Sequence, residues 1–101
     1  MIEHRKSRRF DLKLPLTLLR CSGNILEQSC ETANISSNGV LFHSASGIEV
    51  GSVLEYMVTL VPAIGDTRKS VQLHCLGKVV RQADKDTVAA TLERYEFVRA
   101  D

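Results

Sequence analysis

Phe10-Asp11-Leu12-Lys13-Leu14-Pro15-Leu16-Thr17-Leu18 is the stretch of sequence that decides the fold. Its five apolar residues alternate with Asp, Lys, Pro and Thr, and this period of two is typical of a half-buried β-strand. We therefore predict a strand over residues 10–18 whose even-numbered side chains line one face and pack into the core. Pro15 has no amide hydrogen, so its presence predicts an edge strand or a bulge at that position.

The rest of the chain consists of short apolar segments that are separated by turn-forming residues. Further strands are predicted over residues 25–33, 40–43, 53–61, 69–81 and 87–97. Ser22-Gly23-Asn24 predicts the first hairpin turn, and residues 34–39 predict the second turn. Strands of this spacing, with short turns and no long amphipathic helix, favour an all-β fold in which six antiparallel strands close into a barrel. Residues 93–99 are also compatible with a helical turn, so the C-terminal segment stays open between strand and helix.

Length and composition limit the chain to one small domain. Its 101 residues are 44% hydrophobic and 25% charged, which is ordinary for a folded protein with a single core. We treat residues 1–101 as one domain, in which residues 1–9 form a basic and flexible arm. No segment approaches the roughly 20 apolar residues that span a bilayer, and the charged N-terminus lacks the apolar region of a secretory signal. We expect no membrane insertion and a cytoplasmic location.

The basic charge is concentrated at the N-terminus. Residues 1–20 contain six Lys or Arg against two Asp or Glu, whereas residues 21–101 contain seven against ten. Nucleic-acid-binding proteins more often spread basic side chains over a whole face, because each phosphate contact adds to affinity. The distribution therefore favours a small anionic ligand over DNA or RNA.

No pattern of catalytic or metal-binding residues is present in the sequence. Cys21, Cys30 and Cys75 form no CxxC pair and are expected to be reduced thiols buried as small hydrophobic side chains. His43 and His74 show no metal-ligand spacing, and there is no phosphate-binding loop or nucleophile motif. We expect no catalytic residue, no metal, no cofactor and no enzymatic activity.

Two short motifs carry the functional prediction. The first is Arg5-Lys6-Ser7-Arg8-Arg9, an RxxxR pattern whose guanidinium groups can contact phosphates and the O6/N7 edge of guanine. The second is Asn34-Ile35-Ser36-Ser37-Asn38-Gly39, a [DN]xSxxG pattern with small polar groups and a glycine on a turn. Together the motifs indicate a pocket for a guanine nucleotide.

The two motifs, in this order and followed by strand-like sequence, resemble those of the PilZ family of bacterial cyclic di-GMP receptors. The resemblance extends to Cys75-Leu76-Gly77-Lys78-Val79-Val80-Arg81, which is similar to a later strand of that family, and it covers most of residues 5–98. It implies a six-stranded split barrel that binds cyclic di-GMP as its ligand. It also implies that the arm closes on the nucleotide and that the signal passes to a downstream partner protein.

The resemblance assigns a role to each candidate residue. Arg5 and Arg9 would engage phosphate and guanine, and Asn34 and Ser36 would contact the guanine or the ribose-phosphate. Gly39 would let the backbone come close to the ligand. Arg8 and Arg81 are secondary candidates, the latter because a guanidinium at a strand end can stack on a base.

Each motif also has a purely structural interpretation. Residues 5–9 alone are typical of a solvated basic tail, and Asn34, Ser36 and Gly39 alone are typical of a turn in which the glycine has positive φ. Two rival functions stay open: a PilZ-like adaptor that binds no nucleotide, and a small nucleic-acid-binding barrel. The second rival is disfavoured because most of the five aromatic residues occupy predicted core positions. The number of bound ligands and the oligomeric state stay open.

Overall fold

The chain folds into a closed antiparallel barrel with one additional strand. The computed structural model describes residues 10–44, 48–60 and 70–100. The strands are β1 (Pro15–Cys21), β2 (Asn24–Ile35), β3 (Gly39–His43), β4 (Val53–Leu60), β5 (Ser70–Asp84), β6 (Thr87–Thr91) and β7 (Arg94–Ala100). The ring runs β1-β2-β3-β6-β5-β4 and closes because β4 also pairs with β1, while β7 pairs with β5. The predicted all-β, six-stranded antiparallel barrel is confirmed.

The predicted last strand is in fact two strands. Residues 87–91 pair with the C-terminal half of β5, and residues 94–100 pair with its N-terminal half. The alternative of a helical turn at 93–99 is wrong, since this segment is β7. Leu92 and Glu93 separate the two strands, which run in the same direction along β5, and β6 also pairs with β3.

The N-terminal prediction is correct only for its second half. Leu16 and Leu18 are buried in β1 and Leu14 packs partly against the core, but Phe10 and Leu12 are 52% and 45% exposed. The strand begins at Pro15 because the preceding residues are bound to β2 by a mixture of backbone and side-chain hydrogen bonds, and the Leu14 carbonyl accepts the Thr32 N–H at 2.9 Å. The buried hydroxyl of Thr32 accepts the Leu14 N–H at 2.9 Å and donates to the Leu12 carbonyl, which replaces part of a regular ladder.

Pro15 and the first hairpin show how local chemistry sets the strand ends. Pro15 is the first residue of β1, a position that needs no ladder hydrogen bond, and β1 has neighbours on both sides rather than lying at an edge. The irregularity in β1 falls between Leu18 and Arg20 instead. The predicted turn is confirmed: Ser22 and Gly23 both have positive φ, as a tight two-residue hairpin requires.

The core is a single apolar cluster inside the barrel. Its buried members are Leu16, Leu18, Val40, Phe42, Ile48, Leu54, Tyr56, Val58, Leu73, Cys75, Val79, Val88 and Ala90. Cys75 is buried as predicted, whereas Cys21 and Cys30 are only partly buried, and all three are free thiols. Within the described ranges, no helix has the length and apolarity that crossing a membrane requires.

Candidate functional site

The connection between β2 and β3 is a tight turn organised by Ser36. The Ser36 amide donates to the Gly39 carbonyl at 2.9 Å, and its hydroxyl donates to the same oxygen at 3.4 Å. The hydroxyl also accepts the Asn38 N–H at 3.3 Å. Ser36 therefore has the structural role expected of a serine in a turn, and its side chain also borders the cavity described below.

Asn34 is the second-to-last residue of β2, so it lies next to the turn but not in it. It pairs with Leu41 of β3 after an irregularity between Thr32 and Asn34. The neighbouring Ile35 packs against the core, and successive side chains of a strand point to opposite faces. The Asn34 side chain is therefore on the outer face of the barrel.

Gly39 is required by packing between strands. Its φ is not positive, so the expectation of a left-handed glycine at this position is wrong. A Cβ at this residue would lie 2.6 Å from the carbonyl oxygen of Ala90 in β6. The glycine thus lets β3 approach β6 closely, and it also leaves the outer surface beside the turn open.

A row of paired residues connects Asn34 to Arg81 across the outer face. Asn34 pairs with Leu41, Leu41 pairs with Ala89, and Ala89 pairs with Arg81. Directly paired residues share a face, and Ala89 points outward because Val88 and Ala90 on either side of it are buried. Three strand spacings separate the ends of the row, or about 14 Å between their Cα atoms.

A β-bulge in β5 shapes the far end of this row. The register shifts between Val79, which pairs with Ala90, and Arg81, which pairs with Ala89. Val79 is buried, whereas Val80 is 52% exposed and Arg81 is exposed. The bulge therefore brings an apolar and a cationic side chain to the same outer face, which a regular strand would not do.

A cavity of about 200 Å³ lies between the Ser36 turn and the bulge. It is lined by Ser36, Asn38, Gly39, Val40, Val80, Ala89, Ala90 and Thr91. Its floor is made of small side chains, and its rim carries hydroxyl and amide groups. This composition suits a flat aromatic ring with polar edges, since the floor offers apolar contact and the rim offers hydrogen bonds.

Phe10, the first described residue, pairs with β2 next to the Ser36 turn. Phe10 forms an isolated bridge with Ile35, in which each amide donates to the other's carbonyl at 2.9 Å. Arg9 directly precedes Phe10 in sequence, and Ile35 lies between Asn34 and Ser36. The residue that follows the first motif is thus bonded to the middle of the second motif. The predicted ligand contacts Arg5, Arg8 and Arg9 themselves lie outside the described residues.

Two hydrogen bonds to Thr91 hold the end of β6 beside the cavity. The Tyr56 hydroxyl donates to the Thr91 carbonyl at 3.0 Å, and the Lys78 amide donates to the Thr91 hydroxyl at 2.9 Å. Burial raises the pKa of Tyr56 far above its ordinary value, and burial raises the pKa of the Cys75 thiol to about 12. Both groups therefore remain neutral at physiological pH, and the end of β6 has a rigid, uncharged support.

The sequence predicted some residues of this candidate site but not those that form the floor of the cavity. Asn34, Ser36, Gly39 and Arg81 lie on or beside one face, but Val80, Ala89 and Thr91 were not identified. Their contribution depends on the β3–β6 and β5–β6 registers, which are long-range pairings. A valine pair followed by arginine gives no sequence signal for a bulge, so only the paired structure reveals it.

One argument against nucleic-acid binding is wrong. Phe42 and Tyr56 are core residues, but Phe10, Tyr95 and Phe97 are more than half exposed. Tyr95 and Phe97 are on β7, away from the cavity residues of β3 and β6. The burial of aromatic residues therefore does not exclude nucleic-acid binding. The arguments against that function are the distribution of charge and the composition of the candidate site.

Comparison with known proteins identifies a family over nearly the whole chain. The family model described as the PilZ domain matches residues 3–99, which include both motifs and all seven strands but the last residue of β7. A comparison with curated proteins gives no significant match.

Proposed function

Because the chain belongs to the PilZ domain family, a family of cyclic di-GMP receptors and adaptors, we propose that it binds cyclic di-GMP on the β2–β3–β6–β5 face. PilZ domains are binding and adaptor domains rather than enzymes, so the proposed function is reception of a bacterial second messenger. The ligand would lie in the cavity bordered by Ser36 and Val80, with the basic arm over it.

The Phe10–Ile35 bridge is the observation that carries this proposal. The proposed pocket uses both motifs, so the two motifs must lie close together in space, although 25 positions separate Arg9 from Asn34 in the sequence. The bridge joins the residue after Arg9 to the residue after Asn34 through two backbone hydrogen bonds. Phe10, the residue after Arg9, is therefore held beside Ile35, whose neighbour Ser36 lines the cavity.

The chemistry of the face matches the parts of a cyclic dinucleotide. A guanine ring would stack on the apolar floor at Val80 and Ala89, and Asn34 and Ser36 would contact the guanine edge or the ribose-phosphate. Arg5 and Arg9 would form charge-assisted hydrogen bonds to phosphate and to guanine, with Arg8 as a secondary contact. Arg81, at the other end of the row from Asn34, would stack on a base.

The proposed mechanism is closure of the arm. Residues 4–9 would become ordered when Arg5 and Arg9 engage the nucleotide, and the ordered arm would present a new surface to a partner protein in the cytoplasm. The energy for ordering the arm comes from the charge-assisted contacts, so closure and ligand affinity depend on the same arginines.

Isothermal titration with cyclic di-GMP tests the proposal directly and also gives the stoichiometry. GTP and a linear guanine dinucleotide serve as competitors. Arg5→Ala and Arg9→Ala should each weaken binding at least about tenfold without unfolding the domain, because each would lose a charge-assisted contact to the ligand and neither residue belongs to the predicted core. Arg94→Ala, an exposed arginine on β7, is the matched control and should bind like the unsubstituted protein. Unchanged affinity in both arm variants would contradict the proposed pocket. If the unsubstituted protein bound no cyclic di-GMP, the alternative of an adaptor that binds no nucleotide would be favoured.

Amide exchange tests the closure mechanism separately from binding. Residues 4–9 should exchange more slowly with ligand than without, and Ser36→Ala should reduce both the affinity and this protection. An arm equally protected in both states would leave recognition intact but would contradict the switch.

A further inference from the structure

We propose that the free edge of β7 pairs with the β7 of a second copy of this chain, antiparallel and centred on Phe97. β7 pairs with β5 along one edge, and no other strand among the described residues pairs with its second edge. It also carries two exposed aromatic side chains, Tyr95 and Phe97, which are 57% and 64% exposed. An edge strand with exposed aromatic side chains and unpaired backbone groups is a template for pairing with another chain.

The hydrogen bonds of β5 show which backbone groups of β7 face outward. The Val79 amide donates to Ser52 and its carbonyl accepts from Gly51, so the polar groups of Val79 point toward β4. Successive residues of a strand point their polar groups to alternate edges, so Leu76, His74 and Gln72 point toward β7. The bond from the Glu93 amide to the Leu76 carbonyl agrees with this assignment.

The register of β7 then identifies the free donors and acceptors. Leu76, His74 and Gln72 pair with Arg94, Glu96 and Val98, whose polar groups therefore point back to β5. The N–H and C=O groups of Tyr95, Phe97 and Arg99 consequently point to the free edge. These three residues offer three donors and three acceptors at alternate positions, as an antiparallel partner strand requires.

Only one two-fold register uses all six groups. Centring on Phe97 pairs Phe97 with its copy and Tyr95 with Arg99, which gives six backbone hydrogen bonds. Centring on Tyr95 would need the Glu93 amide, which is already bound to Leu76. Centring on Glu96 gives four bonds and places two glutamates directly opposite each other, which is unfavourable.

Charge and aromatic packing agree with the Phe97 register. There Glu96 lies opposite Val98 and Arg94 lies opposite Ala100, so no like charges are paired. Tyr95 and Phe97 contact each other edge to face, with ring centroids 6.1 Å apart. In the dimer Phe97 would lie opposite its copy and diagonal to the Tyr95 of the copy, on the same face of the extended sheet. The interface is isologous, because each copy contributes the same strand.

The exposed area predicts a weak dimer. Two aromatic side chains that are more than half exposed, together with one strand edge, cover less than the roughly 800 Å² per partner of a standard interface. Sedimentation velocity between roughly 10 µM and 1 mM should therefore show a concentration-dependent monomer–dimer equilibrium.

Matched variants test the position of the interface. Phe97→Lys should weaken dimerisation at least about tenfold, because it removes the central aromatic contact and opposes two lysines. Val50→Lys is the control, since Val50 is 61% exposed but lies in the turn before β4. A protein that stays monomeric across the range, or a dimer that Phe97→Lys leaves unchanged, would overturn the proposal.

Cross-linking tests the register independently of dimer affinity. Hydrogen-bonded partners have Cα atoms about 5.5 Å apart, within the range that a disulfide bridges, so Phe97→Cys should form a disulfide-linked dimer on mild oxidation. Glu96→Cys should cross-link much less, because its copy would lie diagonally, about 7–8 Å away. The unsubstituted protein, with its three native thiols, gives the baseline. Preferential cross-linking of Glu96→Cys would overturn the Phe97 register.

Discussion

The two halves of β5 serve the barrel differently. Residues 71–78 pair with β4 in one unbroken register of eight pairs, and residues 70–76 pair with β7 in another. Residues 79–84 pair with β6 through two register shifts, and their side chains beyond Val79 are exposed. The regular half holds the core, whereas the bulged half presents Val80 and Arg81 at the candidate site. Irregularity within one strand thus leaves the paired core intact while it exposes the residues of the candidate site.

Gly77, near the junction of the two halves, should give the largest effect. A Cβ at this residue would overlap the Thr91 carbonyl, which is backbone that cannot move without displacing the end of β6. Gly77→Ala should therefore reduce the free energy of unfolding by more than about 3 kcal/mol. Chemical denaturation measures this loss. Gly23→Ala is the contrasting variant, because it has open space but positive φ, and a loss as large as that of Gly77→Ala would contradict the packing argument.

Side chains from the two halves should differ clearly in their contribution to stability. Leu73→Ala removes a buried side chain of the regular half and should cost about 2–4 kcal/mol of unfolding free energy. Val80→Ala removes an exposed side chain of the bulged half and should cost less than about 0.5 kcal/mol, but it should weaken cyclic di-GMP binding. Equal losses of stability in Leu73→Ala and Val80→Ala would contradict the assignment of the core to the regular half of β5.

The sequence predicts the regular parts of this molecule well and the irregular parts poorly. Alternation placed Leu16 and Leu18 in the core, because a two-residue period is enough to define the buried face of a strand. It misplaced Phe10 and Leu12, because this segment joins β2 only through an isolated bridge at Phe10 and the Thr32 hydroxyl bond to Leu12, and not through a regular ladder. The motif residues Asn34 and Gly39 were identifiable from their spacing. The bulge at Val80 was not, because it depends on pairing with β6, which is distant in sequence.

Arg81 should affect binding but not stability. Arg81→Ala removes an exposed guanidinium at the end of the row that begins at Asn34, so cyclic di-GMP affinity should fall by a factor of about 3 to 10. Lys78→Ala, an exposed cation that is absent from the cavity lining, should leave affinity unchanged. Titration calorimetry on both variants measures the contrast. An equal loss in both would indicate a general charge effect and not a contact at the bulge.

Cys75, in the regular half, should make stability depend weakly on pH in the alkaline range. Burial raises the pKa of its thiol from 9.0 to about 12, so between these values the unfolded chain loses a proton that the folded chain keeps. The folded state then binds more protons, and stability must fall as pH rises. The stability that the protonated Cys75 thiol contributes is fully present below pH 9 and is lost as the pH rises toward 12. Denaturation midpoints at pH 8 to 10 measure the slope.

A non-titrating variant isolates this contribution from the other alkaline groups. Cys75→Ala should lower stability at every pH but flatten the slope, by at most about 1.4 kcal/mol per pH unit for one proton. Leu73→Ala is the control from the same inner face of β5, because it also loses a buried side chain but removes no titrating group. It should keep the original slope. If both variants gave the same slope, Cys75 would not be the origin of the alkaline sensitivity.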